Sequence, residues 1–269
     1  MGTSVERNKV DREALRRLAR ARVVTTRDLA KLLNTSPSSA KKVAFRLRKS
    51  GFLKAVRRGE YASVPFDVDP ARFQPDPYLA VRKALGNRYA FSHYSALALL
   101  GAEQQVRRGI HVEAPGARPR RRSVGEIPVH VHASPLREWK EVTTKVRRGG
   151  VPLLVTTAAR TLVALASLPG PAQDYEGALG AFRSLLPRVD PSDLTRAGRL
   201  VTSAAARARL GHYLRRALRE IPESGDFTPF LSDLKRSLGH AGPVYVGTRP
   251  RSPNNRFDAE FKVVYPGGV

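Results

Sequence analysis

Apolar positions in the first 64 residues recur with a helical period and then with a strand period. Asp11 stands where it caps a helix over 12–22, whose Ala14, Leu15, Leu18 and Ala19 form one apolar stripe. Thr26 predicts the cap of a short helix over 27–33 that buries Leu29, Ala30 and Leu33, with Asn34 as its left-handed ending. Ser36-Pro37 joins a hydroxyl cap to a proline at the first helical position, so a third helix is predicted up to about Ser50, stopped by Gly51. Residues 52–56 and 60–64 then alternate around Arg57-Arg58-Gly59, the pattern of a hairpin.

Residues 65–77 are punctuated by Pro65, Pro70, Pro75 and Pro77 and carry little period, which predicts a linker between a domain at 1–64 and a body at 78–269. In that body the pattern predicts a helix over 78–85 and a strand over 89–91. A helix capped by Ser92 carries Ala96, Leu97, Leu99 and Leu100. Strands are predicted over 109–114 and 127–133, joined through PGARPRRRSVG as a long basic hairpin with Arg118, Arg120, Arg121 and Arg122 at its tip. Two further strands over 141–147 and 151–155 precede an apolar helix capped by Thr156 or Thr157. Helices over 175–185, 192–202, 204–220 and 227–239 follow, then extended segments over 244–247 and 257–264. The expected fold class is α+β: an N-terminal winged helix-turn-helix followed by a mixed α/β body with a largely helical C-terminal part.

Charge changes this picture more than composition does. The 269 residues hold 48 Lys+Arg against 23 Asp+Glu, a net +25, and residues 1–64 alone hold 17 basic against 5 acidic residues. Such concentration is the electrostatic footprint of a phosphate-rich partner. The absence of cysteine excludes disulfides, thiolate metal sites and Cys nucleophiles. No apolar run approaches the length of a membrane span and the N-terminal residues show no apolar signal core, so a soluble, cytoplasmic protein without a membrane partner is expected.

On the predicted third helix, Ala40, Val43, Ala44 and Leu47 share one side, while Ser38, Lys42, Phe45 and Lys49 share the other, flanked by Lys41 and Arg46. No acid occurs from Ser36 to Ser50. Small residues at the helix start and cations along the outer face suit insertion into a major groove. The expected DNA contacts are Ser36, Ser38, Ser39, Lys41, Lys42, Phe45, Arg46 and Lys49, with Arg57 and Arg58 of the hairpin holding the flanking backbone. Phe45 either presses on a thymine methyl or packs on another protein element. One such helix reads few base pairs, so an operator with repeated half-sites is expected, bound by a chain that is monomeric in solution or dimeric on DNA.

Four stretches together resemble the AbiEi family of antitoxin-like transcriptional regulators of type IV toxin–antitoxin systems. They are DLAKLLNTSPSSAKKVAFRLRKSGFLKAVRRGEYA, FSHYSALALLG at 91–101, VTTAARTLVALA at 155–166 and ARARLGHYLRRAL at 206–218. The chain departs from the family where an acid is expected after Arg160-Thr161-Leu162 and Ala164 stands instead. The resemblance implies a repressor that binds its own promoter and a C-terminal domain that counteracts a cognate nucleotidyltransferase-type toxin.

Other constellations lead elsewhere. Glu260-Phe261-Lys262, with Asp226, Asp233 or Asp258 upstream, has the acid–lysine pattern of a magnesium-dependent nuclease if it lies on a strand, the main alternative function; a stand-alone regulator without a toxin is another. His130 and His132 share one strand face, yet the nearest acid is Glu126, and no metal or cofactor is expected. Ser92-His93-Tyr94-Ser95 reads as a helix start. Gly109 and Gly125 flank a hairpin and form no phosphate cradle. Arg118, Arg120, Arg121 and Arg122 make a second DNA contact, a partner contact or a solvated tip. Arg207, Arg209, Arg215 and Arg216 offer a cationic surface to DNA or to the toxin. Binding without catalysis is the expected activity.

Overall fold

The computed structural model describes residues 18, 22–86, 88–102, 109–134, 139–168, 174–222, 224–248 and 252–267. Helices and strands mix without strict alternation, an α+β arrangement. No helix among the described residues is long and apolar enough to cross a membrane. The chain divides into two compact units. One holds residues 1–88, 120–130 and 147–152; the other holds 89–119, 131–146 and 153–269.

In the first unit the described elements run β1 (Val23–Thr25), α1 (Thr26–Leu32), α2 (Pro37–Lys49), β2 (Leu53–Arg57), β3 (Glu60–Ser63) and α3 (Pro77–Leu85). The helix predicted over 12–22 lies outside the described residues except for Leu18 and Arg22. Leu18 is 2% exposed and packs in a core with Val24, Leu29, Ala40, Ala44, Leu47 and Leu53. Each large apolar side chain so buried contributes about 1.5–3 kcal/mol.

The cap of α1 is Thr25, one residue before the predicted Thr26, because Thr25 and Asp28 form a reciprocal capping box. The Thr25 Oγ1 accepts from the Asp28 N–H at 3.1 Å, and the Asp28 carboxylate accepts from the Thr25 N–H at 2.8 Å. Asn34 takes the predicted left-handed conformation, φ 47°. Strand β3 lies between β1 and β2, antiparallel to both.

The Pro-rich stretch 65–77 lies within this unit, as does α3. Lys54 Nζ donates to the Phe73 carbonyl at 2.5 Å, and the rings of Phe52 and Phe66 meet edge to face. Asp76 caps α3 and also receives Arg148 Nε at 2.6 Å, while Lys83 of α3 pairs with Asp28 at 2.6 Å.

The remaining elements are β4 (Ala90–Phe91), α4 (His93–Leu99), β5 (Ile110–Pro115), β6 (Arg120–Val124), β7 (Ile127–Ser134), β8 (Thr143–Arg148) and β9 (Val151–Thr156). After them come α5 (Ala158–Ala166), α6 (Tyr175–Leu185), a 3-10 turn (Leu186–Arg188), α7 (Pro191–Gly198), α8 (Ala204–Glu220), α9 (Thr228–Ser237), β10 (Val244–Tyr245), β11 (Asn255–Asp258) and β12 (Val263–Pro266). A six-stranded sheet has the order β6-β7-β5-β4-β9-β8.

Helix α5, capped by the Thr157 hydroxyl, is buried almost all round, as a central core helix must be. Ala164, where the family resemblance would place an acid, is 1% exposed within that helix. Around it pack side chains of α4, α6, α7 and α8, among them Leu97, Leu179, Phe182, Leu194 and Tyr213.

Three expectations are corrected. The PGARPRRRSVG stretch does not put its arginines at a hairpin tip: Arg120, Arg121 and Arg122 lie along strand β6, and the turn falls at Gly125-Glu126, where Gly125 takes φ +61°. Gly125 packs against the Val56 carbonyl so closely that a Cβ has no room. Residues 257–264 are not one strand, because β11 and β12 pair antiparallel and residues 259–262 turn between them. Ser92 precedes α4 but makes no side-chain cap; its hydroxyl bonds instead to His93 Nδ1 at 2.8 Å.

Candidate nucleic-acid interface

Helix α2 begins as its sequence directs. Ser36 Oγ accepts from the Ser39 N–H at 3.1 Å and its hydroxyl pairs with that of Ser39, while Pro37 occupies the first turn. Ala40, Ala44 and Leu47 are buried and Val43 is half-buried. That fixes which face looks outward. Ser38, Lys41, Lys42, Phe45, Arg46 and Lys49 recur at i, i+3, i+4, i+7, i+8 and i+11, all exposed, along a stripe about 17 Å long. Among the described residues none of these four cations forms an ion pair. Phe45, 66% exposed, interrupts them with a flat apolar face.

The hairpin tip is less uniform than the sequence suggests. Arg57 Nη2 lies 2.6 Å from Glu60 Oε1, and this hydrogen bond holds the guanidinium even more firmly protonated. Its charge is therefore answered within the hairpin. Arg58 stays exposed beside Gly59, whose φ of +79° makes the turn. The Thr26 N–H donates to the Gly59 carbonyl at 3.0 Å, so the tip is tied to the start of α1.

The remaining arginines divide by environment. Arg118, Arg120 and Arg121 are exposed and Arg122 is half-buried. Strand β6 ends the sheet order, where a row of cations discourages pairing with another strand. On α8 the arginines are engaged within the fold. Arg209 is 6% exposed and donates to the Ala166 carbonyl at 2.7 Å. Arg207 donates to the Val201 carbonyl at 3.0 Å. Arg215 binds Asp258 at 2.6 Å and Glu260 at 2.8 Å, and Arg216 lies over the Tyr265 ring. Their first duty is packing.

The acid–lysine triplet is placed in the β11–β12 turn and not on a strand. Glu260 is held by Arg215 and Lys235, while Lys262 turns away at φ 53° to donate to the Gly239 carbonyl at 2.6 Å. Asp226 is exposed and fixed on the Thr228 N–H, and Asp233 pairs with Arg236. Asp258 is buried against His212 Nδ1 at 2.7 Å, and His212 Nε2 meets Tyr175 Oη at 3.0 Å. Burial pushes the Asp258 carboxyl up, but the hydrogen bond and charge of His212, then Arg215, outweigh it and hold the group below the usual carboxylate range. Burial keeps His212 below its ordinary value despite Asp258, and pushes the Tyr175 phenol up to about 12. The arrangement bonds α6, α8 and the C-terminal hairpin together; its carboxylates already face guanidinium groups.

Sequence reasoning missed a second polar centre. His93, His111 and His132, from α4, β5 and β7, come together in the second unit, whereas His130 does not join them. His130 is held below its ordinary value by burial and then by Arg121. Beneath the trio, Arg160 of α5 clamps Glu113 Oε2 with Nε at 3.1 Å and Nη2 at 2.9 Å. Glu113 is 1% exposed, and desolvation raises its carboxyl in spite of Arg160. The predicted pairing of 109–114 with 127–133 already makes β5 and β7 neighbours and brings His111 near His132; what no local signal marks is that α4 delivers His93 to the same place.

Compared with known proteins, the chain matches no family model and no curated protein. Its fold is similar to that in the crystal structure of the RV2827C protein from Mycobacterium tuberculosis, with a TM-score of 0.67 and 20% sequence identity, over 96% of this chain and 91% of that one.

Proposed function

We propose that this chain is a sequence-specific DNA-binding repressor whose N-terminal unit acts as a winged helix-turn-helix. Helix α2 serves as the recognition helix and the β2–β3 hairpin as the wing. The reading rests on one observation: the outer stripe of α2 carries Lys41, Lys42, Arg46 and Lys49 with no acid among them and no ion pair among the described residues. A solvated helix ordinarily mixes charge signs. A row of unanswered cations is stable against a phosphate backbone, where each contact releases a counterion. The tight link from α1 through Asn34 to α2, and the wing tip tied to Thr26, hold the two binding elements at a fixed relation within the unit.

In this reading Ser38 and Lys42 approach the bases, Lys41, Arg46 and Lys49 contact phosphates, and Arg58 holds the flanking strand. The AbiEi-like stretches extend the proposal: the protein represses its own operon as the antitoxin of a pair and counteracts a nucleotidyltransferase-type toxin in the cytoplasm.

Fluorescence anisotropy on promoter and random duplexes, across a salt series, tests the DNA-binding part. Lys42→Ala and Arg58→Ala should each weaken binding, with the salt slope falling by about one unit where a phosphate contact is lost. Unchanged affinity of both variants for both duplexes would overturn it. The antitoxin part is tested by co-expression with the product of the adjacent reading frame, where restored growth is the expected outcome.

A further inference from the structure

Three imidazoles from separate parts of the chain meet in the second unit. His93 opens α4, His111 lies on β5 and His132 on β7, which are adjacent strands of the six-stranded sheet. One ring nitrogen from each lies within 4.8 Å of the other two. His111 Nδ1 and His132 Nε2 are 3.0 Å apart, with their rings nearly parallel at 9°. His93 stacks on His132 with centroids 4.0 Å apart.

We infer that His93, His111 and His132 form a binding site for a divalent first-row transition-metal ion of the zinc class. Zinc–imidazole bonds of about 2.0–2.1 Å put two ligand nitrogens about 3–3.4 Å apart on one ion. The His111–His132 pair already has this separation, and rotation about the broad terminal torsion of a histidine closes the remaining gap. Three neutral imidazoles with a further position for water make a known zinc arrangement. The donor set selects the ion: calcium and magnesium require oxygen ligands, whereas imidazole suits zinc, copper, iron and nickel.

The surroundings are those of a held ligand set. The His111 N–H donates to Ser95 Oγ at 2.8 Å, which ties β5 to α4 and brings His111 toward His93. His93 is 3% exposed, and its Nδ1 meets Ser92 Oγ at 2.8 Å, with Glu113 Oε1 4.0 Å away. A carboxylate beside a ligating imidazole orients the ring and offsets the ion's charge. Arg160, clamping the other Glu113 oxygen, holds that carboxylate in place. His93 also keeps φ at 51°, a left-handed conformation unusual for a residue with a Cβ. Such an outlier persists when its surroundings over-determine it, and here it directs the imidazole toward the two strands.

The test uses the untagged full chain, stripped with a chelator and titrated with cobalt(II) and then zinc(II). Saturation at one cobalt per chain, with ligand-field bands that zinc abolishes, is the expected result, together with a zinc-dependent rise in Tm. His132→Gln should lower the affinity by more than the 10–100-fold typical of losing an outer hydrogen-bond partner, whereas His130→Gln and His240→Gln should leave it unchanged. The wild-type titration stands on its own if a variant fails to fold: no saturable binding of either ion overturns the proposal. Binding undiminished in a His111→Gln/His132→Gln chain, or lost with His130 or His240, overturns it as well.

Discussion

Arg57 reaches back across its own turn to Glu60, with Nη2 2.6 Å from a carboxylate whose side chain is only 9% exposed. The β2–β3 hairpin thus carries an internal counter-charge at the point where the sequence alone shows two adjacent cations. Under the proposed DNA binding, Glu60→Gln frees Arg57 to answer a phosphate instead. Duplex affinity should rise and the salt slope steepen by about one unit, while the loss of this partly exposed pair changes stability by about 1 kcal/mol or less. Anisotropy titrations and a denaturation curve on the same variant read both effects.

Phe45 offers a test of the proposed DNA binding that leaves the fold intact. At 66% exposure it supports little of the core, so Phe45→Ala should shift stability by no more than about 0.5 kcal/mol. If it meets a thymine methyl, affinity for the preferred duplex should fall by about 1 kcal/mol while random duplex is bound as before. Competition between the two duplexes measures the difference.

The Glu113–Arg160 pair should behave as a buried ion pair does when one charge is left alone. Arg160→Met should cost about 3–5 kcal/mol in chemical denaturation. Arg160→Met combined with Glu113→Leu should recover most of that loss, because no uncompensated charge remains.

Acid should weaken the helical part of the second unit in two windows. His212 is held below its ordinary value of 6.5, so the unfolded chain binds the proton first and stability falls as pH drops through about 6.5. Asp258 is held below 3.8, so its contribution is present above that value and disappears as pH falls through the lower folded-state value. Denaturant midpoints between about pH 8 and about pH 5 should decline in the wild type and flatten in His212→Gln.

Gly211 sits inside α8 against the ring of Phe261, with no room for a Cβ. Gly211→Ala gains about 1 kcal/mol in helix propensity yet should destabilise by about 1–3 kcal/mol through overpacking. A lower thermal midpoint than wild type is the expected reading; a higher one would show that Phe261 moves aside freely.

Much of the N-terminal unit was legible because its signals are local. Ser36, Pro37 and Gly51 bound α2 within a residue of the expected ends, and Gly59 marks the hairpin turn. Strand β1 was invisible because Val23–Thr25 is too short to show a period. Strand β6 was hidden by composition, since an Arg-Arg-Arg run on a sheet edge looks like a loop. The outward stripe of α2 followed from periodicity, whereas the Arg57–Glu60 bond depends on a register no pattern reveals. The histidine trio and the Glu113–Arg160 clamp join residues 18 to 47 positions apart; the predicted hairpin accounts for His111 with His132, whereas the docking of His93 and Arg160 from two helices follows from no local signal.

The arginines along β6 have a consequence for assembly. Two molecules meeting rim to rim at that strand would oppose like charges along the seam, so lateral growth of the sheet is electrostatically disfavoured. Copies brought side by side are better accommodated through another surface.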